Sequence, residues 1–237
     1  MAMDIQLVTP TQPRAPLEFD LIADFICPWS YLGKRKLERA LDNLYGLPSP
    51  ALRWHGLRIQ SELPVVPAGW REHLATRLPN GVSVDLAQDT LSQAGRDLGV
   101  RFDFAHLKGV PDTREAHRLV KIAEREGAHG AMVDELFSAY FERSQDLADH
   151  AVLHELARGR GLGAATLAAF DDPAAGGAEV DAEEKRLRGL GVMATPNLLI
   201  NGRILVPGPA EVATYVQALD QALFPSLTAT EDKRLLH

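Results

Sequence analysis

The stretch that decides the fold is DFICPWSYLGKRKLERAL, residues 24–41, which contains the only cysteine of the chain, Cys27. The residues leading into it, LEFDLIADF at 17–25, alternate in the way that is typical of a half-buried strand. Pro28 suits the first turn of a helix, where a missing N–H costs nothing, and leucines then follow at near-helical spacing as far as a plausible stop at Gly46. The sequence therefore predicts that Cys27 lies where a strand turns into a helix.

The cysteine count limits the redox chemistry of the chain. With one cysteine in 237 residues, no disulfide can form within a single molecule. Any disulfide must join Cys27 to glutathione, to a protein substrate or to another copy of the chain. At position 30, where a dithiol motif would place a second cysteine, the chain has Ser30. On residue type alone, the alternative is that Cys27 is a small buried hydrophobic residue.

Composition and charge exclude several classes of function. Hydrophobic residues make up 46% of the chain and charged residues 24%, which is ordinary for a globular domain, and the net charge is −7. This charge argues against nucleic acid or an anionic membrane surface as the main partner. No apolar run approaches the ~18 residues of a membrane-spanning helix. Residues 1–16 contain an acid and three prolines but no apolar core of a secretory signal, so we expect a cytoplasmic protein.

The rest of the chain separates into a helical block and two flanking parts with sheet character. ALRWHGLRI, residues 51–59, predicts a second strand, and residues 70–188 carry apolar side chains at the three- and four-residue spacing of helices. TPNLLINGRILVPG, residues 195–208, predicts a hairpin that turns at Asn201-Gly202, and a final helix follows it. Because the sheet elements lie at the two ends, the helical block is interpreted as an insertion.

Four segments together point to a family. They are DFICPWSYLGKRKLE (24–38), TREAHRLVKIAEREG (113–127), ELFSAYFERSQDLADHAVLHELARGRGL (135–162) and GVMATPNLLINGRILVPG (191–208). This combination resembles the DsbA superfamily of thioredoxin-fold proteins, and within it the FrnE-like branch. That branch is itself similar to the kappa-class glutathione transferases and the 2-hydroxychromene-2-carboxylate isomerases.

The resemblance implies an α/β protein with a thioredoxin-like fold and a helical insertion domain. The thioredoxin-like domain would comprise residues 17–69 and 189–226, and the insertion would comprise residues 70–188. Residues 1–16 are expected to form a flexible N-terminal arm and residues 227–237 a C-terminal tail. The arm could pack on a second subunit, which leaves a homodimer open, or it could be disordered.

The resemblance also implies where the site lies. Cys27 and Ser30 would be the catalytic residues, with a cis-proline at Pro196 facing Cys27. The residues expected to contact substrate are Pro28, Trp29, Tyr31, Thr195 and Pro196. Trp29 and Tyr31 flank the cysteine, and each either lines an apolar groove or simply packs. The motif departs from the FrnE-like branch, which usually has a second cysteine where this chain has Ser30, and from the isomerase branch, which usually has serine at the position of Cys27.

Physical chemistry predicts how such a thiol would behave. Free N–H groups and the positive end of the dipole at a helix N-terminus favour a thiolate, so the pKa of Cys27 is expected to lie below that of a free cysteine. The hydroxyl of Ser30 can donate a hydrogen bond to the thiolate. A mixed disulfide at Cys27 has no internal thiol to resolve it, so an external thiol must do so, and glutathione is the expected co-substrate. No tightly bound cofactor and no metal are expected.

Other polar residues are weaker candidates. Asp24 either handles protons near Cys27 or serves as a local cap or turn residue, and the second role is the commoner. His117 either faces the site or is a satisfied histidine in a domain interface. His150 and His154 have the four-residue spacing of metal ligands, but a solvated helix face is the simpler interpretation. GRGLG at 159–163 follows a helix rather than a strand, so it predicts no nucleotide site.

Three functions are compatible with the sequence. The first is a monothiol oxidoreductase that exchanges mixed disulfides with a small thiol or with protein thiols and disulfides. The second is a glutathione-dependent transferase or isomerase acting on a small aromatic or polyketide-like molecule, with Cys27 positioning or activating the glutathione. The third is a binding or chaperone module without redox turnover. Covalent glutathionylation of Cys27 separates the first two, and ordinary thiol reactivity would indicate the third.

Overall fold

The protein is an α/β structure with one four-stranded sheet. Two of its strands come before a block of helices in the chain, and the other two come after that block. The computed structural model describes residues 17–42, 51–59, 69–107 and 109–224. The strands are β1 (Glu18–Ala23), β2 (Ala51–Gly56), β3 (Asn197–Ile200) and β4 (Ile204–Pro207). The helices are α1 (Pro28–Leu41), α2 (Trp70–Ala75), α3 (Val84–Asp97), α4 (Arg114–Ala123) with a 3-10 turn at Glu124–Glu126, α5 (His129–Arg143), α6 (His150–Gly159), α7 (Ala164–Asp171), α8 (Gly177–Gly189) and α9 (Val212–Leu223). The mixed α/β prediction is confirmed.

The sheet has the strand order β2-β1-β3-β4. β1 pairs in parallel with β2, whereas β1–β3 and β3–β4 are antiparallel pairs. The predicted hairpin is present, and its turn places Asn201 at φ 50° and Gly202 at φ 64°. Asparagine and glycine are the residues that tolerate this left-handed backbone best, which explains why the sequence signal was reliable here.

The first helix begins where the sequence predicted. Pro28 is the first residue of α1, where its missing N–H has no intrahelical partner to lose. The structure gives α1 as far as Leu41, with Asp42 as its C-cap, and the predicted stop at Gly46 lies outside the described residues. α1 packs against α9 on one side and contacts α3 of the helical block on the other.

The helical block shares its core with the sheet. Phe25, at the end of β1, stacks on Trp54 of β2 at 4.8 Å and meets Phe137 of α5 edge-on at 5.2 Å. Tyr31 of α1 stacks on the other side of Phe137 at 4.9 Å. These rings belong to one continuous cluster of buried apolar residues. The start of α1 is therefore anchored to both parts of the molecule.

In the described residues, the run of helices between β2 and β3 begins at Trp70, the first residue of α2, and ends at Gly189, the last residue of α8. The division into a thioredoxin-like domain and an insertion at residues 70–188 stays a prediction. The predicted arm at 1–16 and the tail at 227–237 lie outside the described residues. In the part of the chain that is described, no helix has both the length and the apolar character needed to cross a membrane.

Candidate active site

Cys27 lies at the junction of β1 and α1, as predicted. It is the N-cap of α1, with an extended backbone at φ −94° and ψ 109°. Its carbonyl accepts from the N–H groups of Ser30 at 3.0 Å and Tyr31 at 3.3 Å, which starts the helix, and its own N–H donates to Asp24 O at 3.1 Å. The thiol is buried, with 3% of the residue exposed, and Sγ donates to the carbonyl oxygen of Thr195 at 3.6 Å.

The thiol of Cys27 contacts the segment that leads into β3. The Thr195–Pro196 bond is cis, and Pro196 is buried immediately before β3. A Cβ atom at Gly33 would lie 3.2 Å from Pro196 Cγ and 3.3 Å from Tyr215 Oη. Glycine at position 33 therefore allows α1 to pack closely against the proline ring. Sequence reasoning missed Gly33, although a glycine inside a helix pattern is a signal of close packing.

Among the residues that the structure describes, two hydroxyl groups at the site are buried without a hydrogen-bond partner. They are Ser30 Oγ, in the first turn of α1, and Thr195 Oγ1. Ser30 as a residue is fully buried. Both side chains can donate a hydrogen bond to the sulfur of Cys27 once it ionises, and both lower the pKa of the thiol. The two hydroxyls are the groups in this site best placed to stabilise a thiolate.

The predicted lowering of the Cys27 pKa does not hold in this structure. Burial raises the pKa of the thiol above its ordinary value, because it disfavours the charged form. The Ser30 hydroxyl, the Thr195 side chain and the Ser30 N–H, which can donate to the sulfur once it ionises, oppose this effect, and the negative charge of Asp24 adds to it. The helix terminus therefore favours the thiolate, but desolvation outweighs it.

The residues predicted to contact substrate divide into two groups. Cys27, Thr195 and Pro196 meet, and Trp29 is half-buried two residues after the thiol. Tyr31 packs into the core instead. It is fully buried against Phe137, and its hydroxyl donates to Glu142 Oε1 at 2.6 Å. Of the two interpretations of Tyr31, packing is correct and the lining of a substrate groove is not. Pro28 is buried as the first residue of α1.

Asp24 is a long-range hydrogen-bond acceptor rather than a local cap. Its carboxylate is fully buried and accepts from Ile59 N–H at 2.8 Å, Thr113 Oγ1 at 2.7 Å and His117 Nε2 at 3.2 Å. Burial alone would raise the pKa of Asp24, but the hydrogen bonds, the largest of them from His117, hold it below its usual range. Thr113 is the N-cap residue of α4, yet its hydroxyl donates to Asp24 instead of capping the helix. Sequence reasoning missed Thr113, because a threonine before a helix predicts only a cap.

The weaker metal candidates lie at the surface. His150 Nε2 is 3.0 Å from Asp171 Oδ1, its ring stacks on Phe170 at 4.6 Å, and His154 Nε2 is 3.7 Å from Asp171 Oδ2. A search of the described ranges finds no group of three or more His, Cys, Asp or Glu side chains that could hold a metal ion. These histidines and Asp171 form a surface cluster on α6 and α7.

Comparison with solved structures gives several whole-chain similarities. A probable DsbA oxidoreductase from Streptomyces coelicolor is 26% identical with a TM-score of 0.76, over 87% of this chain and 90% of the other. A 2-hydroxychromene-2-carboxylate isomerase is 15% identical with a TM-score of 0.63, over 91% and 98% of the two chains. The cytosolic disulfide reductase DsbM from Pseudomonas aeruginosa is 23% identical with a TM-score of 0.60, over 90% and 99%, and another structure of it is described with GSH.

Comparison with sequences gives a single family. No curated protein matches the chain. The family model of the DSBA-like thioredoxin domain matches residues 19–220, which include both parts of the sheet and the whole helical block. Membership of this family supports thiol oxidoreductase chemistry in general. The chain belongs to the DSBA-like thioredoxin domain family.

Proposed function

We propose that the protein is a monothiol thiol–disulfide oxidoreductase that forms mixed disulfides through Cys27 and depends on an external thiol, glutathione, to resolve them. The observation that carries the proposal is the position of the only thiol, at the N-cap of α1 and 3.6 Å from the carbonyl oxygen of Thr195. Ser30 occupies the position one turn further on, so the site has one sulfur and two buried hydroxyls.

The reaction consists of two exchange steps. In the first, the thiolate of Cys27 attacks one sulfur of a disulfide, a new S–S bond forms, and the other sulfur leaves as a thiolate. In the second, an external thiolate attacks the partner sulfur of this mixed disulfide, and Cys27 leaves as a thiolate that takes up a proton. Ser30 Oγ and Thr195 Oγ1 donate to the sulfur of Cys27 in each anionic state. No cofactor is needed, because the external thiol supplies the electrons.

Glutathione is proposed as the external thiol on two grounds. The chain has no second cysteine, so resolution has to come from another molecule. The fold is that of DsbM, a cytosolic disulfide reductase described in complex with GSH, although at 22% identity that likeness concerns the fold alone. A protein thiol or disulfide is the alternative partner, and the two differ in whether a small thiol alone sustains turnover.

The second candidate is a glutathione-dependent transferase or isomerase, and the fold shared with 2-hydroxychromene-2-carboxylate isomerase is the observation that favours it. In that reaction the sulfur of glutathione would act on the substrate, and Cys27 would hydrogen-bond to it without forming a covalent bond. A binding or chaperone module would need neither step. The three functions therefore differ in the covalent state of Cys27.

The test is the intact mass of the protein after incubation with oxidised glutathione and again after addition of reduced glutathione. The proposed function predicts a gain of one glutathione that is reversed by the reduced form, and no gain in Cys27→Ser. Turnover of a small glutathione mixed disulfide should be lost in the same variant. Turnover without an adduct on Cys27 would support the transferase or isomerase, and an inert thiol would support the binding module.

A second variant tests the role of Ser30. Positions 27 and 30 share one face at the start of α1, so Ser30→Cys should close an intramolecular disulfide in mild oxidant. That variant should gain the dithiol reduction of insulin, and the wild type should show little of it. A wild type that already matches the variant would show that Ser30 imposes no monothiol limit.

A further inference from the structure

Among the buried charged residues that the mechanism above does not use, Asp24 is the nearest in sequence to Cys27. Asp24 lies three residues before Cys27, is 0% exposed, and accepts three hydrogen bonds through its two carboxylate oxygens, as an ionised carboxylate does. Its donors are the N–H of Ile59, the hydroxyl of Thr113 and the imidazole of His117. The first two are neutral, so the charge balance of the cluster depends on whether His117 is an imidazole or an imidazolium.

The contact with Trp54 determines the protonation state of His117. Its indole Nε1 lies 3.1 Å from His117 Nδ1. An indole N–H can only donate a hydrogen bond, so Nδ1 must accept and cannot carry a proton. The proton of the ring is then on Nε2, which donates to Asp24 at 3.2 Å. His117 is therefore held as the neutral Nε2–H tautomer, and its contact with Asp24 is a hydrogen bond rather than an ion pair.

The backbone of β2 fits this arrangement. A Cβ atom at Gly56 would lie 2.5 Å from His117 Nδ1 and 2.8 Å from His117 Cγ, distances that real side chains do not reach. The imidazole occupies the space that any other residue at position 56 would take. Phe25 stacks on Trp54 at 4.8 Å and lies 4.8 Å from the imidazole, which restricts both rings.

The other titratable groups near Asp24 do not balance its charge. On α2, burial lowers the pKa of His73 to about 4, so it is neutral. On α5, burial raises the pKa of Tyr140, whose hydroxyl donates to Gly109 O at 3.0 Å. At the start of α1, the remaining group is the thiol of Cys27. None of the described groups that donate a hydrogen bond to Asp24 is a cation.

We propose that His117 and Trp54 are positioning residues that hold Asp24 as a buried carboxylate without a counter-cation, and that this charge opposes the ionisation of Cys27. Like charges in a low-dielectric interior disfavour each other. The resting thiol therefore stays protonated, which limits its reaction with oxidants because the thiolate is the reactive form. This inference rests on the proposed function in that Cys27 is the reacting group.

The experiment follows the ionisation of Cys27 by the ultraviolet absorbance of the thiolate against pH, with Cys27→Ser as the blank. Trp54→Phe removes the indole N–H, which frees His117 Nδ1 to take a proton and neutralise Asp24. The midpoint should then fall by about one unit, giving about tenfold more thiolate at a pH below it. Trp70→Phe is the matched control, because this second buried indole has no hydrogen-bond partner within the described ranges, and it should leave the midpoint unchanged.

A double variant separates charge from structure. Asp24→Asn should lower the midpoint by itself, and Trp54→Phe should cause no further fall in that background. Nitrogen-15 shifts of the His117 ring test the tautomer directly in the wild type, and they decide the point even if Asp24→Asn does not fold. A protonated Nδ1, an unchanged midpoint in Trp54→Phe, or an equal shift in both backgrounds would each overturn the proposal. The titration needs no glutathione, so its failure is distinct from failure of the proposed function.

Discussion

Two histidines of this protein pair with aspartates of the same chain segment but differ in charge, since one is a cation and the other is neutral. His55 on β2 lies between two carboxylates, with Nε2 2.7 Å from Asp20 Oδ1 and Nδ1 2.7 Å from Glu183 Oε1. Carboxylates only accept, so both ring nitrogens carry protons and the ring is a cation. Burial alone would lower the pKa of His55, but Glu183 and Asp20 hold it above its usual value. His117 has a carboxylate on one side and an indole N–H on the other, so it is neutral.

The comparison shows that an Asp–His contact does not define a charge state. The second partner of each ring decides its charge. A second hydrogen-bond acceptor, as at His55, requires the imidazolium, whereas a hydrogen-bond donor, as at His117, excludes it. Asp20, His55 and Arg53 form a partly exposed cluster, called here the Asp20 cluster, in which the negative charge of Asp20 is balanced by Arg53 as well as His55. Asp24 is buried and has no such balance from its donors, so its charge is available to act on Cys27.

The largest expected difference between the two clusters concerns stability. Asp24→Ala leaves the N–H of Ile59, the hydroxyl of Thr113 and the imidazole of His117 buried without their acceptor. It should lower the free energy of unfolding by about 3 kcal/mol or more. Asp20→Ala should cost about 1 kcal/mol, because its partner Arg53 is half exposed. Urea denaturation of both variants measures the difference, and equal losses would contradict the contrast between a buried and an exposed cluster.

An intermediate loss of stability is expected for a substitution at Gly56. Gly56→Ala places a methyl group 2.5 Å from His117 Nδ1, so the imidazole must move away from Trp54. The overpacking should cost about 1–3 kcal/mol in urea denaturation and disturb the His117 ring signals. Gly130→Ala, on α5 with no atom within 4 Å of the added Cβ, is the control and should keep or slightly raise stability. A tolerated Gly56→Ala would mean that the contact with His117 is not tight.

The smallest expected effect is the pH dependence of the His55 cluster. Because the folded-state pKa of His55 is raised, its stabilising contribution is complete below the unfolded value of ~6.5 and is lost as pH rises through the folded value. His55→Gln should remove that decline, by about 1 kcal/mol or less, since the ring is only partly buried. Urea denaturation between mildly acidic and mildly alkaline pH checks this. If the free energies of unfolding of the wild type and the variant change in parallel with pH, His55 is not a cation in the folded protein.

Much of the fold could be predicted from local sequence. The alternation of residues 17–25, the proline after Cys27 and the Asn201-Gly202 pair each encode a structure within a few residues, and β1, α1 and the hairpin formed where they were predicted. The predicted stop of α1 at Gly46 stays a prediction, because that residue lies outside the described ranges. Tyr31 was left open, since a sequence does not show which face of a helix start meets the core.

The sequence by itself determined that this protein has one thiol at a strand–helix junction and no internal partner for it. Only the tertiary structure decided the state of that thiol. Asp24 meets Thr113 and His117 across 89 and 93 residues of chain, and Trp54 meets His117 across 63. Ionisation depends on burial and on the charges and hydrogen bonds that surround a group, and these come from elements far apart in sequence. Local patterns place Cys27 at a helix terminus, and the packing of β2, α4 and the segment before β3 around it sets its chemistry.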